Sequence, residues 1–327
     1  MAGAPLARVV RSGLEESVHV GHVAVCDVDG RVVAAAGDPR HVCYLRSCAK
    51  PIQAAVSLSA IDRPLPDGLV AVMSASHNGE AVHRRAVRAV LRAAHLDASA
   101  LRTPPGLPLD AEAARRVRAP SPLSHNCSGK HAGMLLACVR QGWPTATYRR
   151  ASHPLQRRVT DAVVLSADVV PTIGVDGCGV PVHGMPLSAI ATAYARLAAP
   201  DRFDGLSQAV GRVTSAMRAA PYLVGGGGRT DTTLMTAVDD LIVKEGAEAL
   251  TCGVHLGAGL GIAVKIADGG ERAVGPAFVA ALSQLGLLTP PARAAIRGVA
   301  ERPVVGGGRP VGAVEPLLRL RGRAVAP

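Results

Sequence analysis

Short β-branched apolar runs open the chain at residues 19–26 and 31–36, joined by Asp27-Val28-Asp29-Gly30. An Asp-Gly pair between two such runs predicts a β-hairpin. Residues 42–45 read as strand and give way to a helical pattern over 51–60. Residues 69–74 are a short apolar run, read as a strand that runs out into Ser74-Ala75-Ser76-His77-Asn78-Gly79-Glu80. Residues 81–95 carry the spacing of an amphipathic helix. Residues 101–121 are proline-rich at both ends and predict a loop with one short helix. Further helices are predicted near 130–140, 154–166, 187–197, 205–219 and 230–240. Residues 174–184 read as a glycine-rich loop, and 225–228 as a flexible hinge. Residues 251–255 and 262–266 predict two strands, 274–285 a helix, and the glycine-rich 304–314 an edge strand or loop.

Strands thus cluster at both ends of the chain and helices fill the middle. The economical arrangement is α+β: one antiparallel sheet built from N- and C-terminal strands, a helical region inserted between them, and a site in the cleft. No repeat or linker stands out, so a single domain over residues 1–327 is expected.

Composition narrows the function classes. No apolar run reaches 18 residues, so no membrane span is expected, and the first 13 residues lack the apolar core of a signal peptide. Seven cysteines without a C-x-x-C suit reduced thiols in a cytoplasm better than a disulfide framework. The net charge of +11 is spread along helical stretches such as Arg84, Arg85, Arg88 and Arg92. With few aromatics for base stacking, it reads as a solvated surface rather than a nucleic-acid footprint.

The basic residues carry a sharper signal. Of 36, only four are lysine (Lys50, Lys130, Lys244 and Lys265), and the other 32 are arginine; only two asparagines occur, Asn78 and Asn126. A bias that turns Lys into Arg spares positions where arginine fails, because arginine neither gives up its proton nor offers a compact amine. Each surviving lysine is a candidate base or ligand. Lys265 has the weakest claim, since it alternates in a strand and can be an exposed edge lysine.

Ser47 and Lys50 form an S-x-x-K on the first turn of a predicted helix, where residues three apart share a face. A neutral lysine can take the proton that makes a serine hydroxyl a nucleophile. The pattern alone is weak and reads equally as a cap beside a solvated lysine. Residues 76–80 read as a helix cap, raised in interest by Asn78. Residues 124–134 gather Ser124, His125, Asn126, Cys127, Ser128, Lys130 and His131. Cys127 shares a helical face with Lys130 and with His131, which permits a metal pair or a Cys–His nucleophile. Asp176 and Cys178 lie between glycines; Asp176 can take a substrate ammonium, and Cys178 can complete a metal site with Cys127. Arg229 opens a helix and suits a ligand carboxylate. Lys244 ends an apolar run and can be a buried amine.

Five segments together resemble the asparaginase II family of the Rhizobium type: Glu16-Ser17-Val18-His19, residues 46–51, residues 75–80, residues 126–134, and Asp176-Gly177-Cys178 with Pro181 and Met185-Pro186-Leu187. The resemblance implies hydrolysis of L-asparagine to L-aspartate and ammonia on a fold similar to serine β-lactamases and glutaminases. It implies two Ser–Lys pairs, Ser47 with Lys50 and Ser76 with Lys244, and a zinc site on Cys127, Lys130 and Cys178. Arg46 or Arg229 would hold the substrate carboxylate, Asp176 or Glu80 its ammonium, and His131 would line the pocket. Ser47 is the first choice of nucleophile, with Ser76 as the alternative. A homodimer is expected, and Asn78 and His183 depart from the family pattern. Rival readings are an acyl-serine hydrolase of another amide or lactam, and a zinc or thiol redox-sensing protein.

Overall fold

The computed structural model describes residues 3–322, which fall into two compact units interleaved along the chain. One comprises the chain up to Cys48, Met185–Ala199 and the chain from Thr233 onward; the other comprises Ala49–Gly184 and Pro200–Thr232. The fold is α+β with an antiparallel sheet, and the helical insertion lies where the strand-poor middle of the sequence predicts it.

The first unit is built on β1 (Ala4–Arg11), β2 (Leu14–Cys26), β3 (Val32–Ala36), β7 (Leu241–Gly246), β8 (Leu250–His255), β9 (Leu260–Ile266), β10 (Arg302–Gly306), β11 (Arg309–Pro316) and β12 (Arg321–Gly322). The sheet runs β10-β11-β1-β2-β9-β8-β7, with β3 against β2 and β12 against β3. The predicted hairpin is β2–β3. Asp27 Oδ1 accepts from the N–H groups of Asp29 and Arg31, and Gly30 takes the φ of +85° that the turn needs. A helix at Leu187–Ala195 packs on β9 and β2, and a second at Glu271–Gln284 covers β8, β9 and β11. Gly261 lets the first approach: a side chain there would run into the backbone of Ala191 and Ala195.

The same sheet corrects the reading of Lys265. Its strand, β9, lies between β2 and β8 and is no edge. The lysine is half-buried, with Nζ donating to the carbonyls of Glu248 (2.6 Å) and Ile266 (2.5 Å).

The second unit is helical, with one hairpin. Helix Lys50–Ser59 is buried over its first eight residues and packs against helices Asp67–Met73, Ser128–Arg140, Pro154–Ala167 and Ser207–Ala219. Residues 69–73 are therefore helix, capped by Ser74, and not strand. An unbroken apolar run carries no period, and here all of Val70–Met73 is buried, so neither face needs a polar residue. Residues 174–184 are likewise not merely a loop. They contain most of a hairpin of β5 (Thr172–Val175) with β6 (Pro181–Pro186), paired from Thr172 with Gly184 to Val175 with Pro181. The turn between them holds Asp176 and Cys178. Gly129 and Gly133, one helical turn apart, let helix Ser128–Arg140 close on helix Asp67–Met73, because a methyl group at Gly129 would strike the Val72 carbonyl and one at Gly133 the Met73 side chain. This contact brings Cys127 and Lys130 beside the chain that leaves Met73 for Ser76.

Candidate active site

Three of the four lysines are buried: Lys50 and Lys244 are 0% exposed and Lys130 is 3% exposed. Lysine is seldom so deeply buried unless paired. Each therefore marks a polar centre inside an apolar interior.

In the helical unit, Lys50 begins its helix and sends Nζ to Ser76 Oγ and to the Ala75 carbonyl, both at 2.7 Å. Ser76 follows helix Asp67–Met73 and is 2% exposed; its N–H donates to the Val224 carbonyl at 3.0 Å. The next residue, His77, fixes the bend. Its Nδ1 accepts from Gly79 N–H at 3.1 Å, so Nε2 carries the proton and donates to Ser128 Oγ at 2.9 Å; that hydroxyl in turn donates to the Leu123 carbonyl. Burial first, then the charges of His83 and Lys50, hold His77 well below the usual imidazole range, so it stays neutral.

Lys50 also belongs to the thiol cluster. Cys127, 5% exposed, precedes helix Ser128–Arg140, and Cys178 lies in the β5–β6 turn. A hydrogen bond from the Cys178 thiol lowers Cys127 well below the ordinary thiol value against its burial, with help from the Lys50 and Lys130 charges. Cys178 is raised as the donor of that pair. Lys130 Nζ donates to Cys178 Sγ at 3.0 Å. Burial pulls the Lys130 ammonium down, but Cys178, Cys127 and Asp176 together hold it above its ordinary value. Asp176 itself caps the turn: Oδ1 accepts from Gly177 N–H at 2.9 Å, and Oδ2 accepts from Cys178 Sγ at 3.6 Å. The serine–lysine pair and the expected zinc ligands are thus one constellation, with Lys50 as the shared member.

Among the described residues, no three His, Cys, Asp or Glu side chains gather as a metal site. The expected ligand set instead joins two thiols to a lysine amine. The donor chemistry nonetheless fits zinc: two soft sulfurs, one already favoured as thiolate, and a nitrogen. Beside Lys130, His131 Nδ1 meets Tyr148 Oη at 2.6 Å. Burial leads in pushing this imidazole down to about 4, against a hydrogen bond with Cys178, so it is a neutral ring beside the thiols.

The remaining expected residues divide between the units. Arg229 is half-buried and follows the glycine run. Glu80 is already engaged: Oε1 accepts from Asn78 Nδ2 (3.2 Å) and Gly227 N–H (3.3 Å), and Oε2 accepts from Tyr222 Oη–H (2.5 Å). In the sheet unit, Arg46 adopts a positive φ of 47° in the 3-10 turn Arg46–Ala49 that carries Ser47. Cys48 pins this turn, its thiol donating to the Lys244 carbonyl at 3.1 Å and its carbonyl accepting from Tyr194 Oη–H at 2.8 Å. Lys244 is on β7, with Nζ donating to the Glu245 carbonyl at 3.0 Å. Within the helical unit Ser76 touches Lys50, and within the sheet unit the turn bearing Ser47 is held to the Lys244 backbone through Cys48.

Sequence reasoning missed Tyr148, Tyr194 and Tyr222, each bonded to a member of these clusters or to its backbone. The only available signal was their rarity, four tyrosines in the whole chain.

The family model described as L-asparaginase II matches residues 7–316. The chain belongs to the L-asparaginase II family. Membership over nearly the whole sequence makes it an amidohydrolase. Comparison with curated proteins finds no match. Among solved structures, the chain is similar to a β-lactamase from Mycobacterium bovis, with 17% identity, a TM-score of 0.44, and coverage of 82% of this chain and 95% of that one. It is also similar to a probable glutaminase from Bacillus subtilis complexed with 6-diazo-5-oxo-L-norleucine, with 13% identity, a TM-score of 0.36, and coverage of 82% and 84%. The family assignment rests on the sequence match. No helix among the described residues is long and apolar enough to cross a membrane.

Proposed function

We propose that the protein hydrolyses L-asparagine to L-aspartate and ammonia, with Ser76 as nucleophile and Lys50 as its base. The observation that carries this reading is the 2.7 Å contact between Lys50 Nζ and Ser76 Oγ, buried inside a member of an amidohydrolase family. When Lys50 is neutral, the hydrogen bond reverses and the serine proton passes to the amine. Ser76 Oγ then attacks the side-chain amide carbon, the tetrahedral intermediate expels ammonia with the proton returned from Lys50, and water hydrolyses the acyl-serine with Lys50 again as base. Arg229 suits the substrate carboxylate. Asp176 or Glu80 suits the ammonium. The expected pairing of Ser47 with Lys50 and of Ser76 with Lys244 is the alternative that mutagenesis separates.

Ammonia release from asparagine, and a rate with glutamine lower by an order of magnitude or more, is the expected result of a coupled assay; one methylene in a shaped pocket is worth roughly 10- to 200-fold. Equal rates with both amides would overturn the assignment of asparagine, and release from neither would overturn the amide reading.

Cys127, Lys130 and Cys178 would hold zinc, with the neutral imidazole of His131 beside them. Bound there, zinc would order the pocket or polarise a ligand group. Lys130 must lose a proton to ligate. In zinc-loaded protein, Cys127 and Cys178 are expected to resist a thiol reagent and to label after a chelator is added. Labelling unchanged by the chelator would leave the pair as a thiol redox couple instead. The same reading takes the protein as a cytoplasmic homodimer, and the free state of all seven cysteines agrees with a reducing compartment.

A further inference from the structure

The glycine run 225–228, expected as a hinge, is strapped down from one side. Ser76 N–H donates to the Val224 carbonyl (3.0 Å) and Asn78 N–H to the Gly225 carbonyl (2.8 Å), so residues 76–78 pair with the run much as a strand would. Three side chains then close over it. Asn78 Nδ2 donates to the Gly227 carbonyl at 2.9 Å and to Glu80 Oε1 at 3.2 Å. With an acceptor on each side, the amide orientation is fixed by its surroundings. Glu80 Oε1 also accepts from Gly227 N–H, and Glu80 Oε2 accepts from Tyr222 Oη–H at 2.5 Å. The bond to Glu80 leads in raising the tyrosine hydroxyl above its ordinary value. Tyr222 is held in turn by His83, whose Nε2–H donates to its carbonyl at 2.9 Å and whose ring stacks on it at 5.8 Å and 8°. Gly226 has a φ of +116°, and a Cβ there would stand 2.6 Å from Glu80 Oε1. Position 226 is glycine because the latch leaves no room there for a side chain.

We infer that Asn78, Glu80 and Tyr222 form a latch that holds residues 225–228 in the conformation that presents Arg229 to substrate, and that they are positioning residues rather than catalytic ones. The inference rests on the proposed reading of Arg229. Asn78 is the telling member, because its amide reaches both Glu80 and the Gly227 carbonyl. A serine hydroxyl is shorter and has one proton, so it cannot donate to Glu80 and Gly227 together. Asn78→Ser is thereby expected to loosen the glycine run.

The test uses Tyr222→Phe, which removes one surface hydroxyl and keeps the ring, and Asn78→Ser. Hydrogen exchange at residues 225–228 and steady-state kinetics with asparagine are both read. The expected result is faster exchange confined to that run and a KM raised about fivefold per lost hydrogen bond, with kcat held within about twofold. Unchanged exchange in both variants would overturn the latch. A fall in kcat at constant KM would also overturn it, because the residues would then act on the reacting atoms. If the wild-type protein releases no ammonia from asparagine or glutamine, the functional reading fails by itself. The exchange rates then decide the latch alone: faster exchange in the variants supports it, and unchanged exchange overturns it.

Discussion

Ser76→Ala is expected to lower kcat/KM for asparagine by roughly 10⁴-fold or more, the scale on which removal of a nucleophile acts in serine hydrolases. Lys50→Arg is expected to cost about 10²- to 10⁴-fold, the range of a positioned general base. Arginine keeps the positive charge and can still donate to Ser76 Oγ and the Ala75 carbonyl, where Lys50 Nζ donates at 2.7 Å. What it cannot do is surrender a proton. The two variants therefore separate a base from a charge that merely holds the serine. Ser47→Ala is the discriminating companion. If Ser76 is activated by Lys50, loss of the Ser47 hydroxyl leaves acyl-enzyme formation intact and lowers the rate far less than loss of Ser76. Near-normal turnover by Ser76→Ala together with an inactive Ser47→Ala would sink the assignment and restore Ser47 as nucleophile. Thermal melts of each variant guard against misreading a folding defect, since Lys50 and Ser76 are both buried.

That the surviving lysines occupy special positions was legible from the sequence, for a compositional reason. In a chain where arginine outnumbers lysine 32 to four, three of the four lysines fall on buried positions: Lys50, Lys130 and Lys244. The turn chemistry of Asp27 to Gly30 was equally direct, because an Asp-Gly pair has few alternatives. Other features had no local signature. Strand β1 lies within the stretch read only for signal-peptide character, and its place between β11 and β2 is set by partners far along the chain. Residues 69–73 are short and wholly apolar, so period could not choose helix over strand. The contact of Lys50 with Ser76 spans 26 positions and depends on how three helices pack. The latch on the glycine run was invisible for the same reason: Asn78 and Gly227 are 149 positions apart, and glycine runs read as flexible when nothing shows what crosses them.

Stability of the helical unit is expected to fall steeply as pH drops from about 6.5 toward 4, before most carboxylates titrate. Burial drives His183 down to about 4 from an ordinary 6.5, with Thr160 Oγ1 at 3.1 Å from Nε2 and Nδ1 unpartnered. Burial likewise lowers His83 and, well below the usual range, His77. All three are neutral in the fold. Above pH 7 they are neutral in the unfolded chain as well and contribute nothing to the pH dependence. Below 6.5 the unfolded chain binds protons that the fold refuses, so stability must fall with pH until the folded groups also titrate. For His183 alone the difference amounts to something on the order of 3 kcal/mol, a large share of the roughly 5–15 kcal/mol that holds a typical domain together. Asp38, Asp97 and Asp268 are lowered from 3.8, and their contribution is lost chiefly at more acid pH. The interval from 6.5 to 5 therefore belongs mainly to the histidines. Urea midpoints measured across it should decline steadily, and His183→Gln should flatten the decline because glutamine takes up no proton. Midpoints that stay level from pH 7 to 5 would show that these imidazoles are hydrated or paired in the fold. Acid sensitivity would then have to come from the carboxylates alone.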